Sequence, residues 1–209
     1  PSSIGTGSTP EGFYFAVGNG DNKLYQFDAT SGSNIVRSSE CIYHPAAVAF
    51  LADTGRVYYI EQSGGNWNLA RYDLSTGSHA PAGSLTSAGL DYVPAAQPKN
   101  LVGYNSSLYY VAEDTDDLVR VDFAPNGTIR AQYKFADIAD DLMAFHKVGD
   151  VAADTSGTLY VASENAWATY NLKSLSGFAV PVASPAWVWN GLVTGGGNQI
   201  YGVRNSEPN

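Results

Sequence analysis

A single cysteine, Cys41, in 209 residues excludes an internal disulfide and leaves the redox compartment open. Its simplest role is that of a small buried hydrophobe. Basic residues are also few, with 11 Lys and Arg against 20 Asp and Glu, a formal net charge of -9. Such a surface repels phosphate backbones and anionic lipid, which argues against a nucleic-acid partner. No apolar run approaches the roughly 18 residues that span a bilayer. The start, Pro1-Ser-Ser-Ile-Gly-Thr-Gly, has neither the basic nor the apolar region of a signal peptide, and beginning without Met it points to processing or trimming, which fits a mature exported chain. Catalytic signatures are missing too: there is no G-x-S-x-G elbow, no H-E-x-x-H and no phosphate-binding glycine loop. The three histidines, His44, His79 and His146, have no metal-ligand spacing and read as surface or loop residues.

What is present points to strands. At 44% hydrophobic and 12% aromatic, the chain buries a sizeable core without a disulfide or structural metal, and one compact domain is expected. Fourteen Tyr and 22 Gly favour strands joined by tight turns over helices. One motif, an apolar-aromatic strand ending in Asp or Asn before a Gly turn, occurs at Leu24–Asp28, Leu69–Asp73, Leu118–Asp122 and Trp167–Asn171. From Asp28 to Asp73 to Asp122 to Asn171 the steps are 45, 49 and 49 residues, the length of a four-stranded propeller blade. A second, Tyr-rich motif precedes it: Gly12–Val17, Gly55–Ile60, Ser107–Val111, Gly157–Val161 and Gln199–Val203. Upstream of the last four copies lie small apolar runs, Ala47–Phe50, Leu101–Gly103, Val151–Ala153 and Gly191–Val193, suited to a crowded innermost strand.

Each unit therefore reads, from the axis outward, as inner strand A, Tyr-rich strand B, strand C ending in Asp, and a looser strand D. The predicted fold is all-β, a propeller-like array of four-stranded antiparallel blades over residues 1–209. The blades fall at about 11–40, 45–86, 98–136, 148–183 and a partial 186–209. The last unit stops after its B strand: either residues 1–40 complete it, or a further segment or subunit does. B strands in both the first and fifth units favour the second. Tyr58, Tyr109, Tyr160 and Tyr201 are expected at equivalent blade positions. Asp28, Asp73 and Asp122 read as structural, bonding the turns that follow them.

Asp150-Val-Ala-Ala-Asp-Thr-Ser-Gly-Thr-Leu-Tyr-Val-Ala162 and Lys23-Leu-Tyr-Gln-Phe-Asp-Ala-Thr-Ser-Gly32 resemble bacterial propeller repeats of the NHL, YVTN and gluconolactonase-like kind. That resemblance covers most of the chain and marks a blade rather than an activity.

Strand order says where a site would sit. B–C hairpins and D-to-A crossovers emerge at one end of every blade, and these loops carry aromatic and acidic residues. Trp67, Asp91, Tyr92, Trp167, Trp187 and Trp189 are the candidate binding residues. The cluster Glu113, Asp114, Asp116 and Asp117 offers oxygens to Ca²⁺, but lacks the glycine and closing Glu of an EF-hand loop. A charged, solvated hairpin tip is the preferred reading. Asn100, Asp150 and Asn190 begin successive A strands, at the mouth of the axis. Gluconolactonase-like propellers hold a divalent metal with a comparable set, and Glu11-Gly12 weakly resembles their first ligand region. The order differs here, Ala47 stands in the second unit, and capping of inner strands is the preferred role. Two function classes follow. The first is a non-enzymatic extracellular, periplasmic or cell-surface recognition or adhesion module for a glycan, peptide or protein. The alternative is a metal-dependent lactonase or esterase. The sequons Asn105-Ser-Ser107 and Asn126-Gly-Thr128 fall in predicted turns.

Overall fold

Alternation of Tyr and branched aliphatics with turn glycines dictates strands buried on both faces, and the computed structural model shows them. It describes residues 3–5, 13–17, 21–28, 31–36, 47–95, 98–112, 115–138, 148–163, 166–181, 189–194 and 200–204. The first sheet is β1 (Ser3–Gly5), β2 (Phe13–Val17), β3 (Leu24–Asp28) and β4 (Asn34–Val36). The second is β5 (Ala47–Leu51), β6 (Arg56–Ser63), β7 (Asn66–Asp73) and β8 (Ser78–Ser84). Next come β9 (Pro98–Tyr104), β10 (Ser107–Ala112), β11 (Asp117–Phe123) and β12 (Ile129–Asp137), then β13 (Val148–Ala153), β14 (Thr158–Ser163), β15 (Ala166–Asn171) and β16 (Ser176–Pro181). A fifth sheet pairs β17 (Trp189–Thr194) with β18 (Ile200–Arg204). Every described pairing is antiparallel and sequential.

The first sheet gains a strand, β1, that the repeat pattern does not announce. The four strands described between Ser3 and Val36 thus build a sheet of their own, and none of them pairs with β17 or β18. The inner strands neighbour one another in the order β1, β5, β9, β13, β17, and β17 lies against β1. They form a circuit from which the sheets radiate.

The core lies in the seams between sheets. Val57 and Tyr59 pack with Phe15 and Leu24 of the first sheet, whereas Tyr58 and Ile60, pointing the other way, pack with Leu108 and Tyr110 of the third. Tyr109 and Val111 in turn meet Leu159 and Val161 of the fourth. The expected tyrosine column holds: Tyr58, Tyr109, Tyr160 and Tyr201 pair with Ala49, Val102, Ala152 and Val193 of their inner strands, and Phe15 takes the place opposite Gly5. Small inner residues matter most at Gly103, where a Cβ would sit 2.4 Å from the Phe50 carbonyl oxygen of β5.

Turn chemistry follows the Asp motif with one correction. Asp73 accepts hydrogen bonds from the Ser75 N–H at 2.9 Å and the Ser75 hydroxyl at 2.6 Å, Asp28 accepts from the Ser31 hydroxyl, and Asn171 accepts from the Lys173 and Ser174 N–H groups. Asp122 instead bonds sideways, accepting from the Ser107 hydroxyl at 2.6 Å and from Arg120 Nε at 2.8 Å. Three residues separate it from Asn126, whose side-chain oxygen holds that longer turn in its place.

Candidate binding face

The best-described part of the crossover face is the segment 85–95, which runs from β8 to β9. A single side chain of the outermost strand pins it. Gln132, fully buried, donates through Nε2 to the Leu85 carbonyl at 2.9 Å and to the Tyr92 carbonyl at 2.8 Å. The Leu85 N–H also reaches the Trp67 carbonyl at 2.8 Å. Loop backbone that would otherwise be hydrated is held by specific donors and acceptors, and Asp91 stands exposed on it.

Beneath the loop lies a polar network. The Tyr92 hydroxyl donates to Asp117 Oδ2 at 3.0 Å, Thr115 Oγ1 donates to the same oxygen at 2.8 Å, and Lys134 Nζ pairs with Asp117 Oδ1 and, at 2.8 Å, with Asp137. The two carboxylates, Asp117 foremost, hold the Lys134 ammonium above its ordinary range. Burial raises the Tyr92 phenol, with Thr115 opposing and Asp117 adding to the rise. Burial pushes the Tyr110 phenol up further, reinforced by Tyr92 and Asp117. Its hydroxyl has no hydrogen-bond partner among the described residues.

The sequence-derived candidates scatter across this face. Trp67 lies within β7 rather than in a turn, because Gly64 and Gly65, with φ of 59° and 81°, complete the β6–β7 hairpin by themselves. It is half-buried against the core between the second and third sheets. Trp167 lies in β15, opposite Ala162 and packed against Ala152 and Ala162. Trp189 opens β17 opposite Arg204, and Trp187 lies outside the described residues. Asp91 and Tyr92 share one loop, Trp67 lies in the sheet that leads into it and packs with Tyr92 against one core cluster, and Trp167 and Trp189 belong to other sheets.

Of the acidic cluster, Asp116 and Asp117 are described. Asp117 is 6% exposed and its carboxylate is committed to Lys134, Tyr92 and Thr115. Asp116 occupies a left-handed turn position with φ 53° and its N–H donates to the Ala112 carbonyl. Glu113 and Asp114 lie outside the described residues. Among the described residues, no three His, Cys, Asp or Glu side chains group so as to hold a metal.

At the axis, the pairing register separates the three inner-strand candidates. Asp150 is 8% exposed, lies opposite Ala162, and its Oδ1 accepts from the Val151 N–H at 2.8 Å. The matching place in β9 is Lys99, opposite Val111, and in β17 it is Gly191, opposite Val203. Asn100, with φ 62°, and Asn190 sit where the register of their strands shifts. All three nonetheless lie at the crossover end of the inner strands. Of the histidines, His44 and His146 lie outside the described residues. His79 is no loop residue: in β8 it bonds the Tyr59 hydroxyl at 2.9 Å and packs 4.6 Å from the Tyr72 ring.

Sequence reasoning missed Gln132 and Lys134, polar positions in an outer strand read only as looser than the others, and the Arg120 cage. The Arg120 guanidinium lies about 6 Å from the rings of Tyr109, Tyr133 and Phe135 while paired with Asp122.

No family model and no curated protein matches the chain by sequence. Solved structures do match, and show that the fold is a β-propeller. A chain of a nidogen/laminin complex is 10% identical with a TM-score of 0.66, over 97% of this chain and 71% of that one. A gluconolactonase from Xanthomonas campestris is 13% identical with a TM-score of 0.65, over 94% and 67%. Virginiamycin B lyase from Staphylococcus aureus is 12% identical with a TM-score of 0.57, over 96% of this chain and 62% of its own.

Proposed function

We propose that this chain is a non-enzymatic recognition or adhesion module, acting outside the cell, in a periplasm or at a cell surface, whose crossover face binds a glycan, a peptide or another protein. The observation that carries this reading is the pinned 85–95 loop, which presents Asp91 beside the Tyr92 network on a fixed backbone. A loop ordered in advance loses little conformational entropy on binding, so its contacts are realised as affinity. A propeller neighbour in a complex with laminin supports a protein partner. Among the described residues, no helix is long and apolar enough to cross a membrane. The outer edge of β18 is where a further segment or subunit would add strands, since the fifth sheet shows two described strands and the others four.

A second reading, a metal-dependent lactonase or esterase, draws support from Asn100, Asp150 and Asn190 at one end of the inner strands and from the gluconolactonase neighbour. A divalent ion there would polarise a carbonyl and activate water, and losing one ligand would abolish turnover. The two readings separate in one experiment. Lactone and ester hydrolysis is measured with Ca²⁺, Mn²⁺ or Zn²⁺ and with a chelator, alongside capture of immobilised glycans and proteins. A binding module shows no metal-dependent turnover, captures its ligand equally with chelator, and loses capture in Asp91→Ala. Metal-dependent turnover that disappears in Asp150→Ala would sink it.

A further inference from the structure

Two Asn-x-Ser/Thr triplets, Asn105-Ser-Ser107 and Asn126-Gly-Thr128, remain unused by the function above. Both asparagines are exposed and both lie on turns at the end of the third sheet away from the crossover face, Asn105 between β9 and β10, Asn126 between β11 and β12. We propose that Asn126, and not Asn105, is the acceptor of an N-linked oligosaccharide; this rests on the reading that the chain is exported.

The geometry of the two triplets differs in the group that matters, the hydroxyl two residues on. In the Asn126 triplet, Thr128 Oγ1 donates to Asn126 Oδ1 at 2.7 Å and the Thr128 N–H donates to the same oxygen at 3.1 Å. The carboxamide is thereby oriented by its own triplet, and its Nδ2 has no hydrogen bond among the described residues. The turn is also local. The Ala124 N–H donates to the Thr128 carbonyl at 2.9 Å, the Gly127 N–H donates to the Ala124 carbonyl at 2.8 Å, and Gly127 has φ 82°. All of these bonds lie within five consecutive residues, 124–128. In the Asn105 triplet, Ser107 is 5% exposed and its hydroxyl donates to Asp122 Oδ1 at 2.6 Å, so the sheet takes the hydroxyl away from the asparagine.

The donor is a polyprenyl-diphosphate-linked oligosaccharide. Asn126 Nδ2 bonds to the anomeric carbon, the bond from that carbon to the diphosphate oxygen breaks, the electron pair leaves with the diphosphate, and one amide proton passes to a base of the transferase. The sugar then extends from the turn end of the third sheet, opposite the 85–95 loop, and leaves the crossover face uncovered.

The test is expression of the full chain through a eukaryotic secretory pathway, followed by peptide-N-glycosidase treatment in ¹⁸O-water and peptide mass spectrometry of both secreted and cell-retained pools. Occupancy appears as Asn-to-Asp conversion with label. Most chains are expected to carry label at residue 126, with residue 105 at least tenfold lower, the signal at 126 abolished by Thr128→Ala and retained in Thr128→Ser. Chains bare at Asn126 in both pools, or occupancy at Asn105 equal to that at Asn126, overturn the assignment. Chains glycosylated but retained in the cell count against export alone. Should Thr128→Ala misfold, Asn126→Gln makes the same comparison.

Discussion

Asp73 illustrates what a single carboxylate does at the end of a C strand. It collects the Ser75 hydroxyl and N–H and the Thr76 N–H, and Arg56 Nε approaches at 3.4 Å. The Ser75 hydroxyl is the main reason its carboxyl titrates below the usual range. Removing the acceptor in Asp73→Ala strands those donors and is expected to cost about 1–2 kcal/mol in a urea titration. Asp122 and Asp154 are also lowered: burial opposes, but the Ser107 and Arg120 bonds on Asp122, and the Ser156, Thr158 and Tyr160 bonds on Asp154, outweigh it. A carboxylate with a depressed folded pKa binds fewer protons folded than unfolded, so it stabilises fully above the unfolded value and the contribution is lost as pH falls through the folded value. Thermal midpoints should therefore hold steady at neutral pH and decline below about pH 4, with a shallower decline in Asp73→Asn. An unchanged acid limb in that variant would contradict the assignment.

Between elements, steric fit is the sharpest constraint, and Gly103 is its clearest case. Its φ is not left-handed, so the argument is purely one of space: a methyl group would meet the Phe50 carbonyl oxygen at 2.4 Å and Leu51 Cδ2 at 2.8 Å. Backbone cannot swing aside as a side chain does, so Gly103→Ala is expected to lose about 2–3 kcal/mol, the upper part of the overpacking range. Parity with wild type in chemical denaturation would mean that β5 and β9 are not in close contact. This small residue was legible in the sequence because inner strands repeat with the Tyr motif, and the tyrosine column was legible for the same reason. The first strand was not, being three residues, Ser3–Gly5, without the small apolar run of the other inner strands. Trp67 was misplaced because Glu61–Trp67 is polar and glycine-rich and reads as one long turn, whereas two glycines with positive φ let the strands run on. Gln132 was illegible because its acceptors, Leu85 and Tyr92, are 47 and 40 residues away and belong to another sheet's crossover.

Among the described residues, packing is between neighbours: the first sheet shares buried side chains with the second, the second with the third and the third with the fourth, and the inner strands neighbour one another in a circuit. No layer lies beneath another, so burial depth is set by distance from the axis. Val48, Ala49, Val102 and Ala152 of inner strands are at most 1% exposed, while β8 and β12 alternate between buried and open positions. That radial order is also a schedule. In deuterated buffer the label should enter from the rim, reaching amides of β8 and β12 first, those of β7 and β11 next, and those of β5 and β9 last. The segment 85–95, an irregular loop, should lag behind the outer strand edges because one buried carboxamide, that of Gln132, governs its opening. Substituting Leu for Gln132 would set the loop's clock to that of the rim without resetting the hub.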